Sequence, residues 1–151
     1  METYLASPLW DVFTIANRGA GGMMSQANAQ PLIYIVDDQE LLLDLAEVSL
    51  KAEGYRLKKF TNPTAALKAF RRSRSKPELL ITDYAMGRMN GLDLIEQCKA
   101  SHAGLKTILL SGTMGAEIIL DAPVKVDRFL GKPYQPSNLA ELVRKLLGRQ
   151  D

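Results

Sequence analysis

Apolar and polar positions follow two different rhythms along the chain. Three short apolar runs are unbroken: Leu32-Ile33-Tyr34-Ile35-Val36, Leu79-Leu80-Ile81 and Thr107-Ile108-Leu109-Leu110. Runs of that length, bounded by turn-formers, read as strands buried on both faces, as in a parallel sheet. Tyr55 to Phe60 alternates loosely and predicts a more exposed edge strand, and Arg128-Phe129-Leu130 predicts a fifth. The intervening segments carry the helical rhythm. Glu40 to Glu53 reads as a helix with an apolar stripe of Leu41, Leu42, Leu45, Val48 and Leu50, and Gly54 is placed to end it. Asn62-Pro63 opens a second helix with a capping side chain and a proline at the first position; it runs to about Arg72. Leu92 to Lys99 forms a third, with Leu92, Ile95 and Cys98 on one side. Met114 to Leu120 is at best a short fourth, broken by Asp121-Ala122-Pro123. The last runs from about Pro136 to Gly148, with Leu139, Leu142, Val143, Leu146 and Leu147 facing inward. Five strands alternating with helices predict a single α/β domain: a doubly wound parallel sheet with helices on both faces.

Residues 1–30 break this pattern. Gly19, Gly21, Gly22, Ser25, Gln26, Asn28 and Gln30 give no apolar period and read as a flexible extension, or as an over-long start with the true one at Met23 or Met24. Leu9, Trp10, Val12, Phe13 and Ile15 leave open a short amphipathic segment that docks on this domain or on a partner. The folded domain is expected over residues 31–148, with 149–151 as a tail.

Composition narrows the function classes. The 151 residues are 46% hydrophobic and 24% charged, within the range of an ordinary globular domain. A net charge of +2 is too small to imply a nucleic-acid or membrane partner. No apolar run approaches the roughly 20 residues of a membrane span. The single cysteine, Cys98, can form neither an internal disulfide nor a cysteine-based metal site and fits a reducing compartment, so the cytoplasm is expected. Cys98 reads as a small buried hydrophobe, and His102, the lone histidine, as a surface loop residue. Arg71, Arg72, Arg74 and Lys76 cluster at the end of the second helix, where cations favour the helix dipole.

The chemistry gathers at the carboxyl ends of the strands, where open α/β sheets bind their ligands. The first strand runs into Asp37-Asp38, and the third ends in Asp83 and a loop of turn residues, Tyr84 to Gly91. Ser111 ends the fourth, and Lys132 follows the fifth. Adjacent carboxylates at the end of a buried strand are costly unless a cation neutralises them. Three carboxylates suit a hard dication with oxygen ligands, Mg2+, and a lysine with a hydroxyl opposite suits phosphoryl oxygens. The set points to metal-assisted phosphoryl transfer onto an aspartate.

From Leu32 to Gly148 the chain resembles the receiver domain of two-component response regulators. Four motifs carry the resemblance: Ile33-Tyr34-Ile35-Val36-Asp37-Asp38, the stretch Asp83 to Leu92, Leu110-Ser111-Gly112, and Phe129-Leu130-Gly131-Lys132-Pro133. The resemblance implies a flavodoxin-like sheet of strand order 2-1-3-4-5. It implies that Asp83 is the phosphoacceptor and that Asp38, Asp83 and the backbone carbonyl of Ala85 ligate Mg2+, with Asp37 acting largely through water. Lys132 and Ser111 would bind phosphoryl oxygens, with a cis bond before Pro133, and Ser111 and Phe129 would be the switch pair. The donor would be a sensor histidine kinase or a histidine phosphotransfer protein. The downstream target would be a protein, met on the face made by the short fourth helix, the fifth strand and the last helix. The implied protein is a regulator rather than an enzyme, limited to self-phosphorylation and slow autodephosphorylation. Because the chain stops at Asp151, a stand-alone receiver is expected, with a fragment of a longer protein as the other possibility.

Three departures from the family pattern matter. Gly87 stands where proline is usual, which predicts a more mobile loop. Ala85 and Thr113 occupy positions that influence attack by water, and Ala85 has no polar atom to orient it, which predicts a long-lived acyl phosphate. Ile118-Ile119-Leu120 is unusually apolar and either closes the core or forms a dimer or partner surface. Two rival readings remain: a receiver-like module that takes no phosphate, and a phosphohydrolase with Asp83 as nucleophile. The first normally lacks an acid or the lysine. The second wants an acid where Ala85 stands and a cap insertion over the site.

Overall fold

The computed structural model describes residues 29–112, 117 and 120–149. The expectations placed on 1–28, on Thr113, Ile118 and Ile119, and on the last two residues lie outside them. All that follows concerns the unit Pro31–Asp151.

Five strands, β1 (Leu32–Val36), β2 (Arg56–Phe60), β3 (Leu79–Asp83), β4 (Lys106–Ser111) and β5 (Arg128–Gly131), pair in parallel in the order β2-β1-β3-β4-β5. Four described helices, α1 (Glu40–Ala52), α2 (Pro63–Arg72), α3 (Gly91–Ser101) and α4 (Pro136–Leu146), cover the sheet. Every residue of β1 and β3 is buried. The unbroken apolar runs serve two cores at once, because successive side chains of a strand point to opposite faces. Tyr34, Val36, Leu80 and Leu109 pack with Phe70 of α2 and Ile95 of α3. Ile33, Ile35, Ile81 and Leu110 pack with Leu50 of α1 and Val143 of α4. The looser β2 is an edge strand with Arg56, Lys58 and Lys59 exposed, as its alternation predicts.

Helix starts follow local chemistry. Asn62 Oδ1 accepts the backbone N–H groups of Thr64 at 2.7 Å and Ala65 at 3.2 Å, ahead of Pro63. Asn90 and Asp93 form a reciprocal capping box at the start of α3. At the far end of α2, Lys76 Nζ donates to the carbonyls of Phe70 and Arg71, so one of the clustered cations closes a helix C-terminus.

Two side-chain expectations need correction. Helix α1 buries Leu43, Ala46 and Leu50, while Leu41, Leu45 and Val48 are 70%, 47% and 72% exposed. The helix is apolar on two opposite sides. Both obey the 3.6-residue period, so periodicity alone could not say which side meets the sheet. His102 is half-buried rather than a free surface residue; its ring stands edge-on to Phe70 with centroids 6.4 Å apart. Cys98 is buried as expected, and desolvation pushes its thiol up to about 12.

The strand order places the site. The chain leaves β1 for β2 and then returns past it to β3, so the carboxyl ends of the central strands β1 and β3 border a crevice.

Candidate functional site

Asp37 follows β1 directly and is 1% exposed. Its backbone N–H donates to Phe60 O at 3.1 Å, extending the β1–β2 ladder past the strand. Its carboxylate accepts Gln39 N–H at 3.0 Å and Lys132 Nζ at 2.8 Å. Asp38, beside it, is exposed. Asp83, the last residue of β3, is 7% exposed, and its Oδ1 lies 3.1 Å from Lys132 Nζ. Lys132 therefore bridges the carboxylates at the ends of β1 and β3. Its own backbone N–H donates to the carbonyl of Ser111, the buried last residue of β4, at 2.8 Å. The Lys132–Pro133 peptide is cis.

The loop after Asp83 is held at both ends. Tyr84 N–H donates to Leu110 O at 2.8 Å, and Gly91 N–H donates back to Tyr84 O at 2.8 Å. A Cβ on Gly91 would fall 2.3 Å from the Asp83 carbonyl oxygen and 2.8 Å from Leu109 Cδ1, so only glycine lets α3 begin against the acceptor strand. Within the loop, Gly87 has a φ of +91°, a conformation proline cannot adopt. Ala85 is exposed, and Phe129 on β5 is half-buried against the α2–α3 side of the core.

The structure thus brings Asp37, Asp38, Asp83, Ser111 and Lys132 to one rim. Two features escaped the sequence reading. In the sequence Gly91 reads only as part of a turn, although its place right after the capping Asn90 signals a helix start. Tyr134 lies half-buried beside the rim and, with Leu42, Leu45, Ala46, Lys132 and Pro136, lines a groove of about 340 Å³.

The electrostatics are unbalanced. One lysine serves three carboxylates, leaving a surplus of two negative charges. Burial pushes the Asp83 carboxyl above its ordinary range; the Lys132 ion pair pulls it back, and Asp37 and Asp38 raise it further. Desolvation lowers the Lys132 ammonium, but its two carboxylate partners outweigh that and hold it above its usual value. One carboxylate oxygen from each of Asp37, Asp38 and Asp83 lies within 4.8 Å of the others. An all-oxygen donor set with two uncompensated charges and an exposed side at Asp38 fits a hard dication such as Mg2+.

The wider resemblances agree with this geometry. Residues 33–144 match the family model for the response regulator receiver domain. The chain is 27% identical over 128 residues to the probable transcriptional regulatory protein TcrX of Mycobacterium tuberculosis, covering 83% of this chain and 54% of that protein. It is 29% identical over 119 residues to the DNA-binding response regulator MtrA of Mycobacterium leprae, covering 79% and 52%. The chain spans about half the length of these curated relatives. Among solved structures it resembles a CheY-like receiver domain protein from Methanospirillum hungatei, with a TM-score of 0.70, 26% identity and coverage of 80% of this chain and 97% of that one. An uncharacterized protein from Neptuniibacter caesariensis aligns with a TM-score of 0.73, 29% identity and coverage of 81% and 91%.

Proposed function

Because the chain belongs to the family of response regulator receiver domains, we propose that it takes a phosphoryl group from a phosphohistidine onto Asp83 and signals through a protein contact. The donor is a sensor histidine kinase or a histidine phosphotransfer protein. The receiver unit spans residues 31–148, and the cytoplasm is its compartment. Among the described residues no helix is long and apolar enough to cross a membrane.

In this reading an Asp83 carboxylate oxygen attacks the phosphorus. The nitrogen–phosphorus bond breaks, and its electron pair returns to the imidazole of the donor. Asp38, Asp83 and the Ala85 carbonyl would hold Mg2+, and Asp37 would act through water. When bound, the ion supplies the positive charge that lets a carboxylate approach an anionic phosphoryl group. Lys132, already paired with both buried carboxylates, takes a phosphoryl oxygen, and the Ser111 hydroxyl takes another. The new charge of roughly −1.5 to −2 then biases a two-state element. Ser111 and Phe129, whose ring is half-buried against the α2–α3 side of the core, form the switch pair. The output face is made by β5 and α4 together with the segment 114–120 that precedes β5.

The observation that carries this reading is the Lys132 ammonium set 2.8 Å from Asp37 and 3.1 Å from Asp83. Incubation with Mg2+ and a small phosphodonor, followed by mass spectrometry, tests it. One phosphoryl group per chain is expected, absent in Asp83→Asn. Many turnovers of released phosphate would indicate a hydrolase instead, and no change an inert module. Ala85 offers no polar atom to orient an attacking water, so the acyl phosphate is long-lived. A half-life of seconds for the isolated protein would refute that part.

A further inference from the structure

The small net charge of the chain conceals a segregation. Residues 54–77 hold eight lysines and arginines and no acid. Taking these eight out of a chain of net charge +2 leaves the remainder at −6. The fold gathers most of the eight on one side of the sheet. Lys58 is paired in register with Tyr34, and its Nζ lies 5.9 Å from the centre of the Tyr34 ring, so it stands on the face that α2 covers. Arg56, two residues back along β2, points the same way. Lys59 points to the other face, where Asp44 and Glu47 of α1 neutralise it at 2.9 Å each. On α2, Lys68, Arg71 and Arg72 are turned away from the core and are neighbours on one exposed face.

The helix dipole accounts for little of this charge. Lys76 alone of the cluster donates to the carbonyls at the end of α2, those of Phe70 and Arg71. Arg71 donates to Gln97 Oε1 at 3.0 Å, a neutral partner that leaves its charge intact. Lys68, Arg72 and Arg74 are exposed, and none of them meets a carboxylate among the described residues. Past the helix the basic surface turns concave. Arg74, Lys76, His102 and Lys106 line a groove of about 470 Å³ at the edge where β3 and β4 begin, with Glu78 as the acid among its described lining residues.

These features select the partner. The exposed large hydrophobics among the described residues, Leu41, Leu45, Val48 and Leu120, lie on α1 and in the segment before β5, and none is on this face. A protein interface is anchored by buried apolar or aromatic side chains, and a membrane-surface helix by an apolar face that enters the lipid. A phosphate backbone requires neither, because released counterions supply the driving force. We propose that β2, α2 and the groove beyond them form a basic surface for the phosphate backbone of a nucleic acid, held without base readout by Lys58, Lys68, Arg71, Arg72, Arg74 and Lys106. The negative remainder of the chain orients the encounter, turning this face toward the polyanion. The groove lies at the opposite edge of the sheet from Asp83, so the surface is separate from the rim.

Fluorescence anisotropy of a labelled, random-sequence DNA duplex titrated with the full chain tests this. Micromolar binding is expected at about 50 mM salt, with log K falling against log salt at a slope of about −4, for roughly four to five phosphates. Lys68→Ala with Arg72→Ala weakens binding about tenfold and cuts the slope by about two. Arg74→Ala with Lys106→Ala does the same from the groove. All four side chains are exposed, so both double variants keep native circular dichroism. The same charge removed elsewhere, by Lys51→Ala with Lys145→Ala, changes affinity by less than about twofold. No binding at low salt overturns the proposal. An equal loss in Lys51→Ala with Lys145→Ala also overturns it, because net charge rather than this face would then be responsible. Tighter binding to polyglutamate or to phosphatidylserine vesicles than to the duplex overturns it too, and assigns the face to an acidic protein or to a membrane.

Discussion

Asp127 and Asp83 lie at opposite edges of one sheet, and each faces a lysine. At the edge where the strands begin, Asp127 Oδ2 accepts the Thr107 N–H at 2.9 Å, the Thr107 hydroxyl at 3.1 Å and Lys99 Nζ at 3.4 Å. Burial raises that carboxyl, but the Thr107 amide, the Lys99 charge and the Thr107 hydroxyl outweigh it and hold Asp127 below its usual range. At the edge where the strands end, Asp83 shares its lysine with Asp37 and sits near Asp38, and burial pushes it the other way. The same two residue types serve different ends. The carboxylate supplied with donors anchors the turn into β5 to the start of β4. The carboxylate left short of positive charge is the one proposed to take the phosphoryl group.

The sharpest test removes each acid in turn. Asp83→Asn is expected to end phosphoryl incorporation completely while raising the Tm of the metal-free protein, since it deletes a charge the fold disfavours. Mg2+ should raise the wild-type Tm by about 2–5 °C and that of Asp83→Asn by less. A fall in Tm for Asp83→Asn would break the comparison. Gly91→Ala, which drives a methyl into the Asp83 carbonyl, should cost about 3 kcal/mol in urea denaturation and impair incorporation as well. Asp127→Ala should cost about 2 kcal/mol, by stranding the Thr107 donors and Lys99, yet leave incorporation at the wild-type level. Equal damage to incorporation from Asp127→Ala would mean that the two edges are not separable.

The smallest effect is in pH, and its sign differs between the two. Asp83 has a folded value above its unfolded one, so the folded state holds more protons. In the absence of metal its contribution falls as pH rises from the unfolded carboxylate range, about 4, through that higher folded value. Asp127 has a depressed folded value. Its contribution is complete above the unfolded range and is lost as pH falls through the lower folded one. Urea midpoints in EDTA across the acid range should therefore flatten on the low side in Asp127→Asn and on the high side in Asp83→Asn.

Much of this was legible in the chain itself. β1, β3 and β4 announced themselves because strands buried on both faces admit no polar break. Asp37, Asp83 and Ser111 were findable because each directly ends or follows such a run, and Lys132 because it follows the less buried β5 directly. What escaped was long-range or degenerate. Lys99, Thr107 and Asp127 are scattered among elements that meet only once the sheet closes, and nothing local marks them as partners. The two apolar sides of α1 are equivalent in period, and only packing against Ile33 and Ile35 selects Leu43, Ala46 and Leu50. The approach of Gly91 to the Asp83 carbonyl depends on where α3 lands on the sheet.

Lys132 is tethered twice: its amide to the Ser111 carbonyl and its ammonium to the ends of β1 and β3. A change of charge at Asp83 therefore pulls on a side chain whose own main chain is stitched to β4. Four strands meet in a single amino acid, which makes that residue the natural coupling rod between an event at the rim and the disposition of the sheet's outer edge.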